Sequence, residues 1–172
     1  GIGSNLPSSF GNKIDNINFS ISFLKKSKIE VCKISSFYES IAFPNKNDPK
    51  FINIVVGIKT LLKPKDLMMN LLRIEEKLER RRSKKNAPRT CDIDIIDYNG
   101  EIINLEIQGQ HLQIPHKFLA DRNFVLYPLK EICPKWSHPL NKLPIDLLIN
   151  NLKNKNNDIT KLSQSDINTY VE

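Results

Sequence analysis

Apolar residues recur at helical spacing early in the chain. Ile14, Ile17, Ile21 and Leu24 are separated by 3, 4 and 3 positions, which predicts a helix over 12–26 with one buried stripe. Asp15 near its start and Lys25 and Lys26 at its end suit the helix dipole. Residues 29–38 read as a strand with a change of face near Cys32. A loop follows over 40–50, broken by Pro44, Asn45, Asn47, Asp48 and Pro49. The β-branched, apolar run 51–60 reads as a strand.

The next stripe is Leu67, Leu71, Ile74 and Leu78, with Pro64 suited to the first turn of its helix. Pro88 pushes Ala87 out of the helical region, so 81–88 is expected to be loop. A strand over 91–98, the turn Asn99-Gly100 and a strand over 101–107 predict a hairpin. Short helices are expected over 117–122 and 125–132, and a last one over 144–152 carries Ile145, Leu148, Ile149 and Leu152. Two long helices against one antiparallel sheet make an α+β fold. The expected architecture is a ferredoxin-like sheet with helices packed on it, plus an extra hairpin and small C-terminal helices. One domain is expected over 1–153, with a solvated, partly frayed polar tail over 154–172.

Composition narrows the class. With 172 residues, 40% of them hydrophobic, the chain can bury a full core. No apolar run approaches the ~20 residues of a membrane span. The formal net charge is +7, which favours anionic partners. Much of it is local: Arg73, Lys77, Arg80, Arg81, Arg82, Lys84, Lys85 and Arg89 outnumber Glu75, Glu76 and Glu79. Cys32, Cys91 and Cys133 lie far apart among apolar neighbours, and read as reduced thiols in or near the core of a cytoplasmic protein. The opening Gly1-Ile2-Gly3-Ser4-Asn5 carries neither Met nor a signal peptide, and reads as the inside of a truncated first strand.

The sharpest chemical signal is Asp92-Ile93-Asp94-Ile95. On a strand the two acids share a face, with Cβ atoms ~7 Å apart, while the isoleucines face the core. Two such carboxylates suit Mg²⁺. A merely solvated strand face fits the pattern too. Nearby stand Arg80, Arg81 and Arg82, then Arg89, whose planar forks grip phosphate oxygens in pairs, although an arginine run also suits a solvated helix end. His116 follows Pro115 at a strand end, ahead of Arg122. Phe51 and Asn53 share a face that suits a flat heterocycle, or else form part of the core. No GxxxxGK[ST] or GxGxxG loop is present.

In order and spacing, these segments resemble the 6-hydroxymethyl-7,8-dihydropterin pyrophosphokinase family of folate biosynthesis. The matching pieces are Gly3-Ser4-Asn5, Ser36-Phe37-Tyr38, Phe51-Ile52-Asn53, Arg73-Ile74-Glu75, Arg80-x-Arg82, Ala87 through Ile95, Ile114-Pro115-His116 and Arg122 through Leu129. The resemblance implies transfer of pyrophosphate from ATP to the hydroxymethyl of 6-hydroxymethyl-7,8-dihydropterin, with release of AMP. It implies Asp92 and Asp94 as ligands of two Mg²⁺ ions bound with ATP. Arg80, Arg82 and Arg89 become the catalytic phosphate contacts, the first two on a loop that closes over the substrates. Glu75, His116 and Arg122 complete the ATP site, with Arg82 and Arg89. The pterin falls to Phe51 and Phe124 as stacking rings, Asn53 as hydrogen-bonding partner and Ser40 as a backbone contact. It also implies a monomer, free-standing or part of a longer folate-pathway polypeptide. The chain departs from the family at Glu79, where Gly is usual, at Cys91, usually Leu, at Asn86, where some members carry Trp, and at Ile41-Ala42-Phe43, which lacks the usual Pro and Gly.

The rival is a basic RNA-binding module with aromatics on a sheet face. No strand carries its aromatic-rich signature, and acids mid-sheet repel phosphates unless a cation intervenes. No nucleic-acid or membrane partner is therefore expected.

Overall fold

The computed structural model describes residues 1–81, 84, 86–107, 109–152 and 158–170. β1 (Ile2–Ser4) leads through residues 5–12 into α1 (Lys13–Lys26). Asn12 caps that helix, its side chain accepting from the backbone N–H groups of Ile14 and Asp15 while Asp15 bonds back to Asn12. This reciprocal box replaces two of the hydrogen bonds that a helix start lacks. β2 (Glu30–Ile34), β3 (Tyr38–Ser40), β4 (Phe51–Ile54) and β5 (Val56–Lys59) follow. The change of face at Cys32 is a register shift between Val31 and Lys33 where β2 pairs with β5.

α2 (Pro64–Lys77) begins on Pro64, as expected. Its end is a Schellman closure: Glu79 N–H donates to the Glu76 carbonyl at 2.9 Å and Arg80 N–H to the Glu75 carbonyl at 3.0 Å. Such an ending needs a left-handed residue, and Glu79 supplies it at φ +63°. For a residue with a Cβ that conformation costs roughly 1 kcal/mol.

β6 (Asp92–Ile93), β7 (Ile103–Ile107), β8 (Gln110–Ile114), α3 (Asn123–Ile132), α4 (Ile145–Asn151), β9 (Ile159–Lys161) and α5 (Gln164–Asn168) complete the chain. The main sheet has the order β6-β1-β4-β3-β9, antiparallel throughout. Its first four strands have the ferredoxin-like arrangement, with β1 inside. Ile2, Ile52, Ile54 and Ile93 from the sheet pack against the stripes of α1 and α2 in the larger core. Each fully buried Ile or Leu contributes roughly 1.5–3 kcal/mol. A smaller core joins Val55 and Ile96 to α3, α4 and Trp136. Among the described residues no helix is long and apolar enough to cross a membrane.

Four expectations are corrected. Asn99 and Gly100 do form a tight turn, both at positive φ, and Glu101 N–H closes it on the Tyr98 carbonyl. The flanking runs do not pair: β6 is only Asp92–Ile93, and β7 pairs with β8 instead. Residues 117–122 hold a single 3-10 turn, Leu119–Asp121, rather than a helix. Residues 159–170 are not frayed, because β9 covers the edge of β3 and Tyr170 O–H donates to Glu39 at 2.7 Å. An unpaired edge strand is a free template for association, and β9 removes that edge from β3. Of the cysteines only Cys91 is buried; Cys32 and Cys133 are exposed thiols.

Candidate active site

β1 lies between the strands that carry the site. Gly3 pairs with Asn53 on one side and Asp92 on the other. Directly paired residues of antiparallel strands project to one face, so Asn53 and Asp92 flank a position with no side chain. A Cβ built at Gly3 meets Asn53 Oδ1 at 3.0 Å and Phe51 Cδ1 at 3.7 Å. Gly3 is therefore the floor of a site with different chemistry on its two sides.

On the Asp92 side is a cleft of about 290 Å³. Arg80, Arg89, Asp92, Asp94, His116 and Arg122 all line it, so six sequence-predicted residues converge there. Arg81, Lys84, Asn86, Ala87 and Pro88 complete the wall. Five cationic side chains thus face two carboxylates. That balance is made for a polyanion. Arg82 lies outside the described residues.

Asp92 is gripped from both sides, Oδ1 by Arg80 at 2.6 Å and Oδ2 by Arg89 at 2.5 Å. Burial opposes its charge, but Arg89 and Arg80 outweigh burial and hold its carboxyl below the usual range. Burial also works against the Arg80 cation, and Asp92 and Glu75 overcome that and raise it. Asp94 is more open and meets Arg122 at 3.4 Å.

Glu75, expected at the ATP site, is not among the residues that line the cleft. It is buried at 3% exposure on α2, where it ion-pairs with Arg80 and accepts from Ile93 N–H at 2.7 Å. It meets the site through Arg80 and the backbone of β6.

His116 Nδ1 accepts from Phe118 N–H at 3.1 Å, which leaves the proton of the neutral ring on Nε2. Burial is the main cause that lowers its pKa, with Arg122 acting the same way and Asp94 opposing. Arg89 Nε and Thr90 Oγ1 are buried without a hydrogen-bond partner among the described residues. Unfilled buried donors beside a cationic wall suit an incoming oxyanion.

The other side of Gly3 carries Phe51, Asn53 and Ser40. Asn53 Nδ2 donates to Ser40 Oγ at 2.9 Å, which fixes the amide plane. Arg89 stands 5.0 Å over the Phe51 ring, and Arg122 lies 5.6 Å from the Phe124 ring. The two arginines therefore link the aromatic positions to the phosphate-type cleft.

No cluster of three or more metal-ligating acids, histidines or cysteines occurs among the described residues. The donor set nevertheless fits Mg²⁺. This ion takes one or two protein carboxylates and completes its shell with phosphate oxygens and water, and Asp92 and Asp94 are hard-oxygen donors on one face.

Sequence reasoning missed Asn5 and Glu79. Asn5, 2% exposed, accepts Arg89 N–H at 2.6 Å, while Asn5 and Leu6 N–H donate to the Arg89 carbonyl. Its signal was its place directly after Gly3-Ser4. For Glu79 the signal was the Gly usual at that position in the resembled family, since glycine favours the left-handed conformation that ends a helix.

Fold and cleft define a phosphate-handling transferase on a ferredoxin-like frame. The model of the 7,8-dihydro-6-hydroxymethylpterin-pyrophosphokinase family matches residues 1–134. The chain belongs to that family, and so to the transferases of folate biosynthesis. It is 37% identical over 145 residues to the 2-amino-4-hydroxy-6-hydroxymethyldihydropteridine pyrophosphokinase of Aquifex aeolicus, over 84% of this chain and 85% of that one. The protein of the same name from Synechocystis is 39% identical over 140 residues, covering 81% and 67%. Folic acid synthesis protein FOL1 of Dictyostelium discoideum is 37% identical over 155 residues; the match takes in 90% of this chain and spans 22% of that longer protein. In fold, the chain is similar to a crystal structure of a Plasmodium falciparum HPPK-DHPS triple mutant with SDX-DHP. The TM-score is 0.65 at 15% identity, over 87% of this chain and 42% of the other.

Proposed function

We propose that this chain transfers the pyrophosphoryl group of ATP to the hydroxymethyl of 6-hydroxymethyl-7,8-dihydropterin and releases AMP. One observation carries the reading: Gly3 separates, on a single sheet face, an amide-and-ring side at Asn53 and Phe51 from a cationic cleft around Asp92. One flat polar substrate and one polyanion are thereby held next to each other.

In this reading the pterin stacks on Phe51 and Phe124, and Asn53, steadied by Ser40, meets its amide edge. The triphosphate lies on Arg80, Arg89, Arg122 and the Nε2–H of His116, with Arg82 as a further contact. Glu75 holds Arg80 in place and does not meet the nucleotide. Asp92 and Asp94 would hold two Mg²⁺ ions, which when bound neutralise charge on the β- and γ-phosphates. With those ions bound, Asp92 would give up its contacts with Arg80 and Arg89, and those guanidinium groups would be free for phosphate oxygens. The hydroxymethyl oxygen bonds to the β-phosphorus and loses its proton to solvent, while the bond between the β-phosphorus and the oxygen bridging to the α-phosphate breaks and AMP leaves with that oxygen. The protein's part is alignment and charge stabilisation, and both act without a covalent intermediate.

Longer relatives, such as the folic acid synthesis protein FOL1, support an extension of the proposal. The chain acts as a monomer in the cytoplasm, alone or within a larger folate-pathway polypeptide. The test of the function supplies ATP, Mg²⁺ and the hydroxymethyl dihydropterin and identifies the nucleotide product. AMP formed in step with pterin diphosphate is expected; ADP contradicts the reading.

A further inference from the structure

We propose that Glu79 and Ser9 form a clamp that positions Arg80 for phosphate transfer. The proposal deepens the transferase reading and rests on it for its kinetic arm.

The clamp begins with a local conflict. The Schellman ending of α2 puts Glu79 at φ +63°, a conformation that glycine adopts freely and glutamate does not. Its carboxylate is held at both oxygens: Ser9 N–H donates to Oε2 at 3.0 Å and Ser9 Oγ–H to Oε1 at 2.6 Å. These bonds hold the Glu79 carboxyl below its usual pKa. The pair is exposed on the surface, so burial of the side chain is not what keeps a glutamate in a glycine's conformation.

Ser9 is a fixed point. Ser8 and Gly11 form a two-way backbone bridge, at 2.9 and 3.1 Å. Ser8 Oγ–H donates to Oδ1 of the fully buried Asn16, and Asn16 Nδ2 donates to the Leu6 carbonyl. At its other end the same segment holds the Arg89 backbone through Asn5 and Leu6. Residues 5–11 therefore anchor Arg89 directly and Arg80 through Glu79. These are the two arginines that grip opposite oxygens of Asp92. The clamp fixes where the Arg80 fork starts relative to the Arg89 fork, and a phosphate bridged by both depends on that spacing.

The test compares wild type, Glu79→Gly, Glu79→Gln and Ser9→Ala in the complete chain. Glycine suits the backbone but removes the clamp, so this variant keeps its Tm. Two readouts are expected to move. Tryptic cleavage after Arg80 and Arg81 in the free protein accelerates, and kcat falls about three- to tenfold while KM for the pterin is unchanged. Glu79→Gln keeps one acceptor and gives intermediate values in both, as does Ser9→Ala, which keeps the backbone bond. Wild-type cleavage and kcat in Glu79→Gly overturn the clamp. So does a kcat loss accompanied by equal losses of Tm and pterin affinity, because that is a general structural defect. If the wild type makes no AMP, the transferase reading fails, and the cleavage comparison alone still decides whether the clamp holds.

Discussion

Asn53 and Asp92 both pair with Gly3, from opposite sides of β1. With neighbouring strands ~4.8 Å apart, the two side chains rise from one sheet face roughly 10 Å from each other. The gap between them is kept open by the one residue that has no side chain. If the two substrates bind as proposed, their spacing is a property of strand register.

Gly3→Ala tests that spacing. The added methyl lands 3.0 Å from Asn53 Oδ1, and β-strand backbone cannot move aside easily. We expect KM for the pterin to rise about tenfold and KM for ATP to change less than twofold, with the fold retained. Steady-state kinetics with each substrate varied checks this, and equal effects on both contradict it.

The two aspartates should behave differently. Asp94 is 43% exposed in its side chain, and its one long pair with Arg122 is worth under about 1 kcal/mol. Asp94→Asn should abolish turnover and leave Tm in place. Asp92 is shared by two largely covered arginines. Asp92→Ala should abolish turnover and also cost about 1–3 kcal/mol, because Arg80 and Arg89 each lose a partner. Thermal melts of the two variants side by side decide the point.

Glu75 links α2, β6 and Arg80 through one buried carboxylate. Glu75→Gln keeps an acceptor for Ile93 N–H but loses the charge facing Arg80. Expected are a stability loss of about 1–3 kcal/mol and a fall in kcat larger than any rise in KM for ATP. A large KM effect with unchanged kcat would favour direct nucleotide contact.

Cys91 is fully buried beside Asp92, and burial pushes its thiol pKa up, whereas Cys32 and Cys133 are exposed. An aromatic disulfide reagent should modify Cys32 and Cys133 promptly in the native protein and Cys91 only on unfolding. Prompt reaction of three thiols contradicts this packing of β6.

The helices α1 and α2 were legible because their stripes and their start signals, Asn12 and Pro64, are local. The cleft was legible because Arg89, Asp92 and Asp94 fall within a few residues of each other. What stayed hidden depends on distant partners. The turn at Asn99 and Gly100 has the right dihedrals, but β6 spends its pairing on β1, so the hairpin forms between β7 and β8. The segment 159–170 gains order from the edge of β3, from Glu39 and Asn12, and from Leu162, Ile167 and Tyr170 packed against the larger core. The motif around Glu75 did not reveal its burial or its contacts with Arg80 and the backbone of β6, which depend on distant partners.

In the proposed mechanism Asp92 and Asp94 together hold divalent cations against a nucleotide's phosphates in the cationic cleft. Electron paramagnetic resonance of Mn²⁺, titrated in the presence of a nonhydrolysable ATP analogue, measures this directly. We expect wild type to immobilise manganese only when the nucleotide is present, and Asp94→Asn to lose this while keeping its fold. Undiminished manganese binding in Asp94→Asn would contradict it.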